Sequence, residues 1–263
     1  MKLKKLLPNK LRKLIHENFG VNQNSKIVQL FLNDGKIKTE FSITNAASFF
    51  DPENAYESSK YNIELYDCNG SLLESKIISL PKFGSKAIKP EIEFKCAIPK
   101  IGMFVAQSLS PNNFSNKNKN LGLLNCHFYA FYQSVIDKSI ALIHPQHFLT
   151  PHRYNKIKPY YWVSQYVINT KNITRVEVYQ LSVLENWELE SGTELIDAKS
   201  NQIIDENSYF MKVRNIKKTV YDIKKIRDKS AYVKIGVKSL CGDNAKPLLF
   251  IYSDDGNFTA THA

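Results

Sequence analysis

No run of about 18 apolar residues occurs anywhere in this chain, so no membrane-spanning helix is expected. Glycine is scarce, ten in 263 residues, and it forms no phosphate loop, no dinucleotide fingerprint and no Gly-x-Ser-x-Gly elbow. The usual nucleotide-binding and serine-hydrolase chemistries are therefore without a motif. The four cysteines, Cys68, Cys96, Cys126 and Cys241, never fall in C-x-x-C spacing. They read as small buried residues or free thiols of a reducing compartment. The H-E-x-x-H pattern and cupin-like histidine spacings are also missing. Residues 26–263 carry almost no helical signal, and no apolar core of about 7–15 residues stands near the start, as a secretory signal requires.

What is present is a strand pattern. An apolar share of 43% with 12% aromatics is enough to build cores and argues against disorder. Lys26 to Leu32 reads as a strand, Asn33-Asp34-Gly35-Lys36 as a tight turn, and Ile37 to Ile43 as the returning partner. Further strands are expected over 61–66, 72–80, 87–94, 102–109, 123–132, 139–144, 160–169, 175–183, 194–196, 209–214, 219–226, 231–239 and 248–252. Asp254-Asp255-Gly256-Asn257 marks a second clear hairpin turn, and the asparagine-rich stretch 110–120 a long exposed loop. Many short strands separated by turn residues predict an all-β chain of antiparallel sandwiches, immunoglobulin-like or jelly-roll-like.

The two halves echo one another. Ile63-Glu64-Leu65-Tyr66-Asp67 is answered by Glu194-Leu195-Ile196-Asp197. The hairpin from Phe131 to His144 is answered by that from Ile251 to His262. The expected organisation is a basic amphipathic helix at 1–20, a first sandwich at 21–150 and a second at 151–263, the two related by internal duplication.

The net charge of +11 is local. Lys2, Lys4, Lys5, Lys10, Arg12 and Lys13 stand against Glu17 alone, and residues 212–229 are the other basic stretch. Leu3, Leu7, Leu11 and Leu14 recur at helical spacing among the first group. Such a helix can lie on an anionic leaflet with leucines down and Lys4, Lys5, Lys10, Arg12 and Lys13 at the headgroups. Equally, it can dock its stripe on the protein's own core. Nucleic acid is not the expected partner, since no binding module is present and 212–229 alternates like a strand.

Histidines are the only clustered reactive groups. His144, His147 and His152 lie in the segment joining the halves, His127 lies nearby, and His262 is the repeat equivalent of His144. His144, His147, His152 and His262 are the candidate ligands for a divalent metal, should the duplicated strand ends face each other. Structural histidines capping strand ends at a seam are the plainer alternative. The aromatic run Tyr154, Tyr160, Tyr161, Trp162 and Tyr166, with Arg153, suits stacking on a carbohydrate or glycolipid ring. Tyr154, Tyr160, Trp162 and Arg153 are the candidate ligand-binding residues.

Three functions follow as expectations. The first is a non-enzymatic binding or accessory protein, cytoplasmic and peripheral at the inner face of a membrane, acting in surface-polysaccharide assembly or modification. A metal-assisted hydrolase or isomerase on a sugar-like substrate is the second. A structural or assembly module of the adhesin or phage type is the third.

Overall fold

The computed structural model describes residues 26–50, 52–53, 55–109, 127–147, 160–164, 166–182, 189–211, 215–239 and 247–262. The leucine-lysine segment 1–20 lies outside them, so the expected helix is not among the elements below. Eighteen strands follow in chain order. The first nine are β1 (Ile27–Leu32), β2 (Ile37–Thr44), β3 (Ser58–Asp67), β4 (Leu72–Pro81), β5 (Ser85–Ile88), β6 (Ile101–Ser108), β7 (His127–Ser134), β8 (Ile140–Ile143) and β9 (Gln146–His147). The others are β10 (Tyr160–Val163), β11 (Ile168–Asn169), β12 (Ile173–Leu181), β13 (Leu189–Asp197), β14 (Ile203–Met211), β15 (Ile216–Asp222), β16 (Tyr232–Ser239), β17 (Leu248–Ser253) and β18 (Phe258–His262). The fold is all-β, and every pairing is antiparallel.

Four sheets result. Sheet I has the order β4-β3-β6-β1-β9 and sheet II the order β5-β2-β7-β8. Sheet III runs β10-β16-β13-β14, with β11 also on β16, and sheet IV runs β15-β12-β17-β18. Counting β10 and β11 as one broken strand and setting β9 aside, the strand orders of sheets III and IV match those of sheets I and II. The ladder irregularity falls at matching places too, between Leu65 and Tyr66 in β3 and between Leu195 and Ile196 in β13.

Turn chemistry explains the hairpins. Gly35 (φ 85°) and Gly256 (φ 87°) hold the left-handed conformation that the tight turns before β2 and β18 require. Asp67 caps its turn by accepting from the N–H groups of Asn69 and Ser71, and Asp197 does the same for Lys199 and Ser200.

Three expected strands are cut short, each for a local reason. The strand expected over 87–94 stops at Ile88. Pro90 opens a helical turn, Pro90–Glu93, and Glu93 is held by Lys76 and Lys86. The strand expected over 160–169 breaks into β10 and β11 because the Ser164 hydroxyl donates to the Tyr166 carbonyl and accepts from the Ile235 N–H. The strand expected to reach Ile226 ends at Asp222, whose carboxylate caps the 3-10 turn Ile223–Ile226.

Sheets I and II enclose a phenylalanine core. Phe41 stacks on Phe104 at 4.1 Å between ring centroids, and Phe128 meets both edge-on at 5.6 and 5.2 Å. Sheets III and IV enclose a second core of Val176, Val178, Leu195, Tyr221, Val233, Ile235, Val237 and Leu249. Strand alternation sends the other residues of sheet IV the opposite way. Tyr179, Leu181, Leu248, Phe250 and Tyr252 belong to the first core. Phe250 sits edge-on to Tyr132 at 5.0 Å and to Tyr179 at 5.3 Å. The inner strands of sheet IV, β12 and β17, are thus buried on both faces.

The exposed edge of β1 is closed by side chains. β9 pairs with it only at Ile27 and Val28. Beyond them, the Leu30 N–H donates to Gln29 Oε1 (3.0 Å) and the Leu30 carbonyl accepts from the Tyr132 hydroxyl (2.8 Å). Thr39 Oγ1 serves both the N–H and the carbonyl of Leu32, at 2.9 Å each.

Because Phe250 fills the space between the two halves, Phe250→Ala should cost about 3–5 kcal/mol. Chemical denaturation followed by tyrosine fluorescence and by far-ultraviolet circular dichroism is expected to give one coincident transition, in wild type and variant alike. Two separated transitions in the wild type would show that the halves unfold independently.

Candidate functional site

The histidines expected at corresponding hairpin ends meet. The rings of His144, just after β8, and His262, at the end of β18, lie 4.3 Å apart between centroids at a 41° tilt. One atom organises the contact. The His144 carbonyl oxygen accepts from Gln29 Nε2 (2.7 Å) and from His262 Nε2 (3.2 Å). His144 Nδ1 stands 3.1 Å from the Pro145 carbonyl, which requires that it too carry a proton. His127 lies beyond, its ring edge-on to Tyr129 at 4.9 Å. Burial, and secondarily the charge of His144, hold the His127 imidazole below its ordinary range.

Of the four expected metal ligands, the structure brings His144 and His262 together. His147 lies in β9, opposite Ile27, with its side chain outside the described set, and His152 is outside the described residues. Among the described residues, no group of three or more His, Cys, Asp or Glu side chains is placed to hold a metal ion. The aspartates near these hairpins are occupied in their own turns. Asp137 accepts from Ser139, Asp254 pairs with Arg227 at 2.6 Å, and Asp255 binds Asn257. Cys68 and Cys96 are free thiols.

The aromatic run divides differently. Arg153 and Tyr154 lie outside the described residues, and of Tyr160 and Trp162 only the backbone, paired to β16, is described. Two members of the run have described side chains, Tyr166, which lies beside a shallow apolar recess, and Tyr161. In register Tyr161 stands opposite Lys238, which stands opposite Gly192, which stands opposite Ser208. The next row on the same face is Val163, Gly236, Glu194 and Glu206. The Tyr161 hydroxyl donates to Glu194 Oε2 at 2.6 Å, and the Lys238 ammonium meets Glu194 Oε1 at 2.7 Å.

Glu194 belongs to β13, two strands away from β10. A tyrosine can span that gap only by lying along the sheet instead of standing on it. Gly236 provides the room. A Cβ there would come within 2.9 Å of the Tyr161 hydroxyl and of Ile196 Cδ1, and 3.1 Å from Glu194 Oε2. The ring is therefore held down over the bare backbone of β16, yet the residue remains 50% exposed, while Glu194 beneath it is 2% exposed.

The electrostatics follow from this contact. Burial and the neighbouring carboxylate push the Tyr161 phenol up to about 12. Burial alone would raise Glu194, but the bonds from Lys238 and Tyr161 outweigh it, and the carboxyl sits below its ordinary value. Lys238 is raised by Glu194, with Glu206 and Glu190 adding to the effect.

A separate shallow apolar recess opens between Tyr166, Val167, Ile168 and Ile251, with Asn169 and Asn172 on its rim. It lies some five residues along β16 from Tyr161, since Ile168 pairs with Val233. The two are different places on the second sandwich.

No family model matches the chain, and no curated protein does. Among solved structures, the partial N-terminal region of an enterococcal surface protein aligns with 92% of this chain and 95% of its own, at 9% identity and a TM-score of 0.27. A β-glucuronidase from glycoside hydrolase family 2 aligns with 91% of this chain but over only 24% of its own length, at 8% identity and a TM-score of 0.17. At these scores neither similarity carries an argument about function.

The Tyr161–Glu194 bond has a readout. The fold prefers the neutral phenol, so the bond is intact below the ordinary phenol range and is lost as pH rises toward about 12. Ultraviolet titration of wild type against Tyr161→Phe should show the missing phenol ionising late. In Gly236→Val the added side chain evicts the hydroxyl, and Tyr161 should titrate near the usual value of about 10. An unchanged late titration in Gly236→Val would contradict the geometry.

Proposed function

We propose that this chain is a non-enzymatic ligand-binding module that takes a carbohydrate on the outer face of sheet III, with Tyr161 as its stacking surface. A single observation carries the reading. Tyr161 is half exposed and nevertheless immobilised, its hydroxyl tied to Glu194 and its ring laid over Gly236. An exposed aromatic side chain usually gains nothing from being fixed. Fixed in advance, it offers a flat apolar surface to a sugar ring without losing rotamer freedom on binding. Lys238 and Glu194 border it with the donors and acceptors that hydroxyl groups require. Arg153 and Tyr154, which precede the strand, are proposed to complete the site; Tyr160 and Trp162 take the alternate positions of β10 and are not assigned to this face.

The two sandwiches are read as products of a tandem duplication. Support comes from the matching strand orders and from the shared irregularity in β3 and β13. A peripheral position at the inner face of a membrane, in surface-polysaccharide assembly or modification, is proposed on the sequence of the basic leucine segment alone. Among the described residues no helix is long and apolar enough to cross a membrane. The alternative of a metal-assisted hydrolase or isomerase draws on the approach of His144 to His262. It needs at least one further ligand.

Glycan-array screening followed by calorimetry tests the carbohydrate reading. Tyr161→Ala should lower affinity at least about tenfold, and Tyr161→Phe less, since the ring is kept and only its tether is lost. Equal binding by wild type and Tyr161→Ala would remove this face from the argument.

The membrane proposal has its own test. Full-length protein should sediment with vesicles containing anionic lipid, and replacing Leu7, Leu11 and Leu14 by glutamine should abolish that. Each basic residue at the surface is worth about 1 kcal/mol, so raised salt should weaken the wild type as well. Undiminished binding by the triple variant would refute the anchor.

A further inference from the structure

The face that holds Tyr161 does not end there. Phe210 on β14 is directly opposite Glu190 and stands two residues along from Ser208, on the same side of the sheet. It is 66% exposed. Between the two rings lie Lys238, whose ammonium is drawn to Glu194, and then Gly192 and Ser208, side by side. Gly192 can bear no side chain, because a Cβ there would come within 2.6 Å of the Asn207 carbonyl oxygen. The consequence is a low floor over β13 and β14, bounded by Lys238 on one side and by Phe210 on the other. Three strand spacings and two residues of rise put the Cα atoms of Tyr161 and Phe210 about 16 Å apart. That span is too long for one sugar ring and suits a short chain of them crossing the strands.

Among the described residues of this face the acidic side chains outnumber the basic ones, against the sign of the protein as a whole. The chain as a whole carries +11. Around the floor stand Glu190, Glu194 and Glu206 against Lys238, with Lys234 one row farther along, opposite Ile196. Glu194 and Glu206 are direct cross-strand neighbours, a pairing that disfavours the sheet. Lys238 already neutralises Glu194. Among the described residues, neither Glu190 nor Glu206 has an ion-pair partner. Two carboxylates held beside two exposed rings complement a cation, which also gains from the ring faces. They repel a uronate, a phosphate or a nucleic acid.

Building on the carbohydrate reading of Tyr161, we propose that the ligand is a linear oligosaccharide bearing free amino groups, laid across the strands from Tyr161 to Phe210. Tyr161 stacks the first ring, Phe210 a ring near the other end, and Glu190 and Glu206 receive the ammonium groups between them.

The test is titration calorimetry on the full chain at a pH that keeps amines protonated, with a fixed set of probes. These are glucosamine, chitosan oligomers of increasing length, the fully N-acetylated oligomers of the same lengths, oligogalacturonate and oligolysine. The amino oligomers should bind tightest, with affinity rising with length until both rings are covered, and oligogalacturonate should not bind. Phe210→Ala should lower affinity for the longer amino oligomers by about tenfold and leave glucosamine unaffected. Glu190→Gln and Glu206→Gln should each cost about threefold and flatten the salt dependence. Circular dichroism confirms that each variant is folded.

N-acetylated oligomers binding as well as the amino forms would overturn this inference and leave the Tyr161 site standing. So would affinity that ignores chain length. Oligolysine binding as tightly as the sugars would overturn it in favour of a basic peptide. No binding by any sugar probe, with Tyr161→Ala indistinguishable from wild type, would end both.

Discussion

The double burial of β12 and β17, the inner strands of sheet IV, joins the two halves of this molecule. A strand that packs on one face normally leaves the other to water, and its sequence alternates accordingly. β12 and β17 instead supply two cores from one ladder. Val176, Val178 and Leu249 go to the second sandwich, and Tyr179, Leu181, Leu248 and Phe250 to the first. Each large side chain of the latter set contributes about 1.5–3 kcal/mol by staying out of water. Parting the halves would expose all of them together, along with the bonds from the Ile216 N–H to the Cys68 carbonyl (3.0 Å) and from His262 to the His144 carbonyl. This shared packing ties the two halves to one another.

Polar groups inside the sheets follow a repeated scheme. Glu64, Glu177 and Glu194 are almost fully buried, and each accepts from a tyrosine hydroxyl and a lysine ammonium, Glu177 from the Tyr252 hydroxyl as well. The tyrosines are Tyr66 (2.7 Å), Tyr179 (2.8 Å) and Tyr161 (2.6 Å), and the lysines Lys26 (2.9 Å), Lys218 (3.0 Å) and Lys238 (2.7 Å). A carboxylate so placed is tolerable only while its partners stay, because a charge left unpaired in such a site costs about 3–5 kcal/mol. Each trio therefore specifies which strands lie beside which. Glu177 does so most broadly, since Arg175 joins it while stacking on the Tyr252 ring at 3.8 Å.

Local chemistry made the strands and hairpin turns legible. Asn33-Asp34-Gly35 and Asp254-Asp255-Gly256 turn where the sequence indicates, and β2 alternates between buried and exposed positions as a strand over a core should. β12 was legible as a strand but not as a doubly buried one. Arg175, Glu177 and Tyr179 in Ile173–Leu181 have the look of a water-facing row, and only their mutual pairing lets them face the first sandwich. The neighbourhood of His144 and His262 could be expected from their corresponding positions at hairpin ends. Tyr161 was visible as an aromatic residue, but Tyr160 and Trp162 beside it drew the assignment. What distinguishes Tyr161 is Glu194 and Gly236, 33 and 75 residues away in sequence, and no short-range pattern conveys that.

The side-chain closure of β1 has a consequence for how this molecule meets others of its kind. An open strand border with idle amides is where a second chain can add itself and where aggregates begin. Here Gln29, Thr39 and Tyr132 already engage the groups a newcomer would need. Self-association by strand addition is thereby turned away from β1 and toward the end strands of the sheets, β4 and β14 among them. In β14 the acidic Asp205 and Glu206 stand in the path of a stacking copy.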